Sequence, residues 1–234
     1  MASRASHKVN ILRVLQVAEA LKHLREKVVF IGGSIVGLLI TDTGAPDVRL
    51  TKDVDIIVEV INFSDHVDTE EEIRKLGFKH DISDEGHFLR FRLDELIVDI
   101  LPTDATRFGM NTQWYETAGR TAQTYVLEGG PSIRVVSPPL FLCTKLDAHS
   151  DRFKDNLRES RDFEDILAVI DGRAELLEEV RDSEKEVREF ICAELRKILA
   201  DPTLQEAYSW QLDRDQQNRQ DLIHAKLVAI SKLT

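Results

Sequence analysis

Cysteine is nearly absent. Cys143 and Cys192 are the only two in 234 residues, and they form neither a CxxC pair nor a metal-ligand spacing. A disulfide scaffold and a structural zinc site are excluded, and a reduced, cytoplasmic setting is expected. Long apolar runs are also missing. The longest covers residues 28–40 and is broken by Gly32-Gly33-Ser34. It falls short of the roughly 20 residues that a spanning helix needs, so no membrane association is expected. The N-terminal stretch has no apolar core or cleavage pattern of a leader. Basic charge is in deficit, with 31 Lys and Arg against 42 Asp and Glu and a formal net charge of -11. Coating of nucleic acid by bulk charge is excluded, although a local basic patch is not. Repeats and low-complexity segments are absent.

What is present is a chain in two styles. Ile11, Leu12, Val14, Leu15, Val17, Ala18, Leu21 and Leu24 recur at helical spacing. Residues 28–31 read as a short strand that turns through Gly32-Gly33-Ser34 into a helical stretch at 35–40. Residues 42–47 are a loop by composition. Residues 54–60 form a β-branched, almost continuous apolar run, as in a strand covered on both faces. A helix is expected over 65–77, and strands over 87–93 and 96–101. A hairpin is expected from 125–127 to 133–136 around Glu128-Gly129-Gly130-Pro131. After Pro138-Pro139 the periodicity is helical. The fold class is α+β: a mixed β-sheet with flanking helices over 1–136, then a helical half over 137–234. Residues 80–87 read as a polar turn. Leu176, Val180, Val187, Ile191 and Leu195 read as the covered side of acidic helices. Trp114, Tyr115 and Trp210 could be core or groove.

The chemistry concentrates in Arg49-Leu50-Thr51-Lys52-Asp53-Val54-Asp55. Strand side chains alternate, so Asp53 and Asp55 project to one side, their Cα atoms roughly 6–7 Å apart. Like charges there are unfavourable unless neutralised, and a hard divalent cation would neutralise them. Alternatively, Asp53 ends a turn and Asp55 faces solvent. A third carboxylate, Asp99, sits inside the apolar strand at 96–101. It needs either a cation or an ion pair, with Arg90 or Arg92 as candidates. Three aspartates on two adjacent strands would suit a two-metal phosphoryl-transfer site. Gly32, Gly33 and Ser34 follow a strand and precede a helix, where free amides and a hydroxyl can cradle phosphate.

Gly-Gly-Ser, then Arg-x-Thr-x-Asp-Val-Asp, then Val-Asp-Ile resembles the nucleotidyltransferase superfamily with the DNA polymerase β-like core. Lys145-Leu146-Asp147-Ala148 and the 160–166 stretch Ser-Arg-Asp-Phe-Glu-Asp-Ile extend the resemblance toward its AbiEii-type branch, many of whose members are toxins of type IV toxin–antitoxin pairs. The resemblance spans residues 31–170. It implies that Gly32, Gly33 and Ser34 hold the phosphates of an NTP substrate. Asp53 and Asp55 would bind Mg2+ or Mn2+, and Asp99 would complete the metal set and help deprotonate the acceptor. It also implies that Arg49 lies near the site, that Lys145 touches the triphosphate, and that Asp162 is near the active site.

The expected activity is transfer of NMP to an acceptor hydroxyl, with RNA at a tRNA 3′ end as the acceptor and an antitoxin as a partner. The alternatives are an aminoglycoside-like small-molecule acceptor and a non-catalytic nucleotide-binding module. Lys145, His149 and Arg152 are spaced as a cationic stripe. Lys145, Arg152, Lys154, Arg158 and Arg161 are the candidate RNA patch. Ser160 reads as an N-cap. Asp162 flanks the apolar face of Phe163, Ile166, Leu167 and Ile170, and Asp165 is expected nearly opposite that face.

Overall fold

Burial of one helical stripe and of alternating strand residues builds two units. The computed structural model describes residues 5–58, 63–81, 90–103, 113–152, 156–212 and 219–233. The first unit comprises Ala5–Gly37 and Arg49–Ser137. Helix α1 (Ala5–Leu21) buries Val14, Val17, Ala18 and Leu21, and a 3-10 segment leads into β1 (Val28–Ile31). A 3-10 turn at Gly33–Ile35 opens α2 (Val36–Leu39), and β2 (Asp53–Val58) follows. Then come α3 (Phe63–Lys75), β3 (Lys79–His80), β4 (Arg90–Leu93), β5 (Leu96–Pro102), α4 (Tyr115–Arg120), β6 (Gln123–Val126) and β7 (Ser132–Val135).

The strands form one seven-stranded mixed sheet in the order β3-β4-β5-β2-β1-β7-β6. β2 is its central strand; Asp53 and Asp55 alternate with buried Val54 and Ile56, and from Ile56 to Val58 every residue is buried, which is why the run ends apolar without alternation. β2 pairs antiparallel with β1 and parallel with β5. Asp94 turns the β4–β5 hairpin with a φ of 52°, a left-handed conformation that Asp tolerates.

The predicted strands and helices are present, with these differences. Residues 59–60 and 87–89 of two predicted strands lie outside the described residues. Of the polar turn expected over 80–87, His80 belongs to a strand, β3, which pairs it with Phe91, and residues 82–87 lie outside the described residues. The α4 helix was not expected; its six residues are too few to show a period.

The second unit is helical and comprises Leu38–Val48 with Pro138–Thr234. Its helices are α5 (Pro138–Arg152), α6 (Arg161–Gly172), α7 (Leu176–Asp182), α8 (Lys185–Ala200), α9 (Leu204–Gln211) and α10 (Gln220–Ser231). Proline in the first turn of α5 costs no hydrogen bond. Ser160 caps α6 by accepting from the Phe163 amide at 3.1 Å. Phe141, Phe163, Val180, Val187, Ile191, Leu195 and Tyr208 form the core. The 38–48 stretch is tied in by the Thr41 and Asp42 amides, which donate to Gly172 O. Arg219 bonds both Asp42 and Asp171. Among the described residues no helix is long and apolar enough to cross a membrane.

Candidate active site

The glycine turn and the aspartate strand meet in the α/β unit. Gly32 has a φ of +76°, in the left-handed region that favours glycine. A Cβ built there would overlap the Asp55 carboxylate, so the Asp55 side chain rests directly on the Gly32 backbone. Ile31, the residue before the turn, pairs with Asp55 across β1 and β2. Ser34 is fully buried, and its Oγ has no hydrogen-bond partner among the described residues. A buried hydroxyl without a partner is costly, and a ligand oxygen at the turn would satisfy it.

Arg49 lies on the same turn. A Cβ on Gly33 would overlap the Arg49 guanidinium and crowd the Thr51 methyl. The backbone that carries Arg49 toward Asp53 is clamped from α1. Asn10, 1% exposed, donates from Nδ2 to Arg49 O at 2.9 Å. Its Oδ1 accepts from the Thr51 amide at 3.1 Å and the Thr51 hydroxyl at 3.3 Å. Arg13 donates to Thr51 O. Sequence reasoning missed both residues, because a polar residue between apolar helical positions reads as surface. The one available signal was Asn10 falling four residues before buried Val14, on the same helix face.

Asp55 and Asp99 are register partners on the parallel strands β2 and β5, and Asp53 stands opposite Ile97. The predicted juxtaposition of carboxylates on adjacent strands is therefore present. The ion-pair alternative for Asp99 is present as well: Arg90 donates to it from Nε at 2.8 Å and Nη2 at 2.9 Å. Arg92 pairs instead with Asp81. All three aspartates are half-buried. Carboxylate oxygens on one side of a strand suit a hard divalent cation, so the donor chemistry of Asp53 and Asp55 fits Mg2+ or Mn2+. Among the described residues no three acidic, histidine or cysteine side chains are already gathered as a ligand set.

Lys145, Asp162 and Asp165 meet in the helical unit. Lys145 Nζ lies 3.0 Å from Asp162 and 2.7 Å from Asp165. Asp165 is 2% exposed, which corrects its expected place opposite the apolar face: the buried ammonium draws it inward. The cationic stripe is corrected too. Lys145 and His149 are buried and only Arg152 is exposed. Burial holds the His149 pKa below its ordinary value despite the opposing fields of Asp162, Asp201 and Glu194. Its Nδ1 is 2.8 Å from Ser160 Oγ. Asp147, by contrast, is pushed up to about 6 by burial and then by Asp151 and Glu194. Of the candidate RNA patch, Arg152, Arg158 and Arg161 are exposed, and Lys154 lies outside the described residues.

The family model described as nucleotidyl transferase AbiEii toxin, type IV TA system, matches residues 13–226. No curated protein sequence matches the chain. The matched span takes in the Gly32–Ser34 turn, Arg49, the three aspartates and the Lys145 cluster, and the chain belongs to the AbiEii family of nucleotidyltransferase toxins.

Proposed function

We propose that the chain transfers a nucleoside monophosphate from an NTP to the hydroxyl of an RNA acceptor, at a tRNA 3′ end. One observation carries this reading. Asp55 rests on the Gly32 turn with Asp99 beside it, and the buried Ser34 hydroxyl of that turn has no hydrogen-bond partner among the described residues. In this reading Gly32, Gly33 and Ser34 receive phosphate oxygens, and Arg49 adds a guanidinium against the same turn. Asp53 and Asp55 hold Mg2+ or Mn2+, and Asp99, steadied by Arg90, completes the set. A bound divalent cation would neutralise the triphosphate and the charge developing on the attacking and leaving oxygens.

The acceptor oxygen bonds to the α-phosphorus as the bond to the β-phosphate bridging oxygen breaks. The acceptor proton passes to Asp99 and the leaving group is pyrophosphate. Positioning of the reacting atoms supplies most of the remaining rate. Within the helical unit, Asp162 and Asp165 hold Lys145, the lysine that the resemblance singles out. A cognate antitoxin is the expected protein partner. The two free, buried cysteines are in keeping with a cytoplasmic setting.

The acceptor is tested with NTP labelled at the α-phosphate, offered with Mg2+ and bulk tRNA, an aminoglycoside, or protein. Label on tRNA that falls steeply with salt supports the reading. Label on the aminoglycoside or on protein, with tRNA unlabelled, overturns the RNA assignment.

A further inference from the structure

Helix α9 ends in an unusual pair. Trp210 is 60% exposed, and the Arg158 guanidinium carbon lies 3.5 Å from its ring centroid. One indole face is thus covered by a cation, while more than half of the residue stays accessible to solvent. The pair is fixed by the next residue. Gln211 Nε2 donates to the carbonyls of Leu157, Arg158 and Ser160, at 3.0, 2.9 and 3.2 Å. One amide therefore ties the helix end that carries the indole to the backbone that carries the guanidinium.

That backbone runs directly into the start of α6, where Ser160 caps the helix and Asp162 binds Lys145. Two more cations lie there. Arg161 is exposed, and Arg152 reaches Asp162 at 3.9 Å with 64% of its side chain exposed. Exposed acids share the neighbourhood too, Asp151, Glu159 and Glu206 among the described residues. Arg158 meets Glu206 at 3.5 Å, but both are well exposed, and such pairs are weak in water.

We infer that Trp210, backed by Arg158, is a stacking platform for an unpaired base of the acceptor RNA, with Arg152 and Arg161 taking its phosphates. This rests on the RNA reading given above. A base needs only an open π-face and nearby cations. Trp and Arg also anchor protein interfaces, but there they sit at the centre of a patch that is desolvated on binding. Among the described residues of the helical unit only Leu222 joins Trp210 as an exposed large apolar side chain, so the indole is offered with cations and without a broad apolar patch, which suits a base. An aminoglycoside, being cationic, would be repelled by Arg158. The acidic net charge of the chain makes such a local device necessary, because bulk attraction to RNA is missing.

The test uses the full chain and indole fluorescence. The other tryptophan, Trp114, is buried, so a quench lost in Trp210→Leu belongs to Trp210. A single-stranded RNA of about 12 nucleotides should quench the emission, and a duplex of the same sequence should not. Trp210→Phe keeps a π-face and should retain most of the RNA affinity. Trp210→Leu should lose roughly five- to hundredfold, as expected for one stacked base. NTP binding should be unchanged in both variants. The platform is overturned if RNA causes no quench, or if Trp210→Leu binds RNA as tightly as wild type. A quench by a co-encoded protein and not by RNA overturns it equally. If wild type still labels RNA in any of these cases, the platform alone falls. If RNA is neither bound nor labelled, the acceptor reading falls with it.

Discussion

Replacing Lys145 with Met should separate a buried ion cluster from a surface one. Only 10% of the Lys145 side chain is exposed, against 8% for Asp162 and 2% for Asp165. The ammonium is the buried counter-ion of two buried carboxylates. Arg152 is 3.9 Å from Asp162 but largely exposed, so it offers little replacement. Removing one member of a buried pair costs about 3–5 kcal/mol, because a charge is left uncompensated. At roughly 2–4 °C per kcal/mol for a chain of this size, Tm should fall by about 6–20 °C. Protonating one carboxylate relieves the unpaired charge. The folded variant then binds more protons than the unfolded chain, and its deficit should shrink as pH falls from about 7.5 toward 4.5. Adding Asp165→Asn should recover part of the loss. Calorimetric or optical melting of the three proteins at both pH values is sufficient. A Lys145→Met protein that melts like wild type at neutral pH would refute the reasoning, because no buried cluster could lose its cation without cost.

Three further outcomes follow from the geometry. Gly32→Ala places an L-residue at φ +76° and a methyl group on the Asp55 carboxylate. It should cost about 1–2 kcal/mol in backbone strain alone and abolish stabilisation by Mg2+, both read by melting with and without the metal. Asn10→Ala strips the partners from Arg49 O and from the Thr51 amide and hydroxyl. It should cost about 1–3 kcal/mol in urea unfolding and raise the KM for NTP. Burial raises the Asp147 pKa to about 6, so folding disfavours its ionised form. That penalty is full above about pH 6 and absent below about pH 4, where both states are protonated. Asp147→Asn should therefore raise Tm at about pH 7.5, and the gain should vanish by about pH 4.

The sheet was legible because its strands are marked locally. The β-branched run ending in Ile56, Ile57 and Val58 is buried throughout, and it belongs to the central strand. The Gly-Gly-Ser turn was legible as a candidate phosphate cradle. The neighbourhood of Asp99 was legible only as an alternative between metal and ion pair, and Arg90 takes it. What stayed hidden depends on contacts distant along the chain. Asn10 looks like an ordinary polar helix residue until Arg49 and Thr51 arrive beside it. Asp165 looks solvent-facing by helical arithmetic, because periodicity does not register an ammonium from another helix. The grouping of residues 38–48 with the C-terminal helices rests on bonds to Gly172 and Arg219, which no local pattern announces. Exposure of Trp210 beside burial of Trp114 likewise follows from tertiary packing.

The central claim is that Asp53 and Asp55 make this chain a metal-dependent nucleotidyltransferase acting at the Gly32–Ser34 turn. The most direct measurement is pyrophosphate release from each of the four NTPs, with bulk tRNA present, for wild type and Asp55→Asn, with and without Mg2+ or Mn2+. Wild type should release pyrophosphate from at least one NTP, and only with metal present. No release is expected from Asp55→Asn in a protein shown by melting to be folded. Release undiminished in a folded Asp55→Asn protein, or independent of metal in wild type, would contradict it.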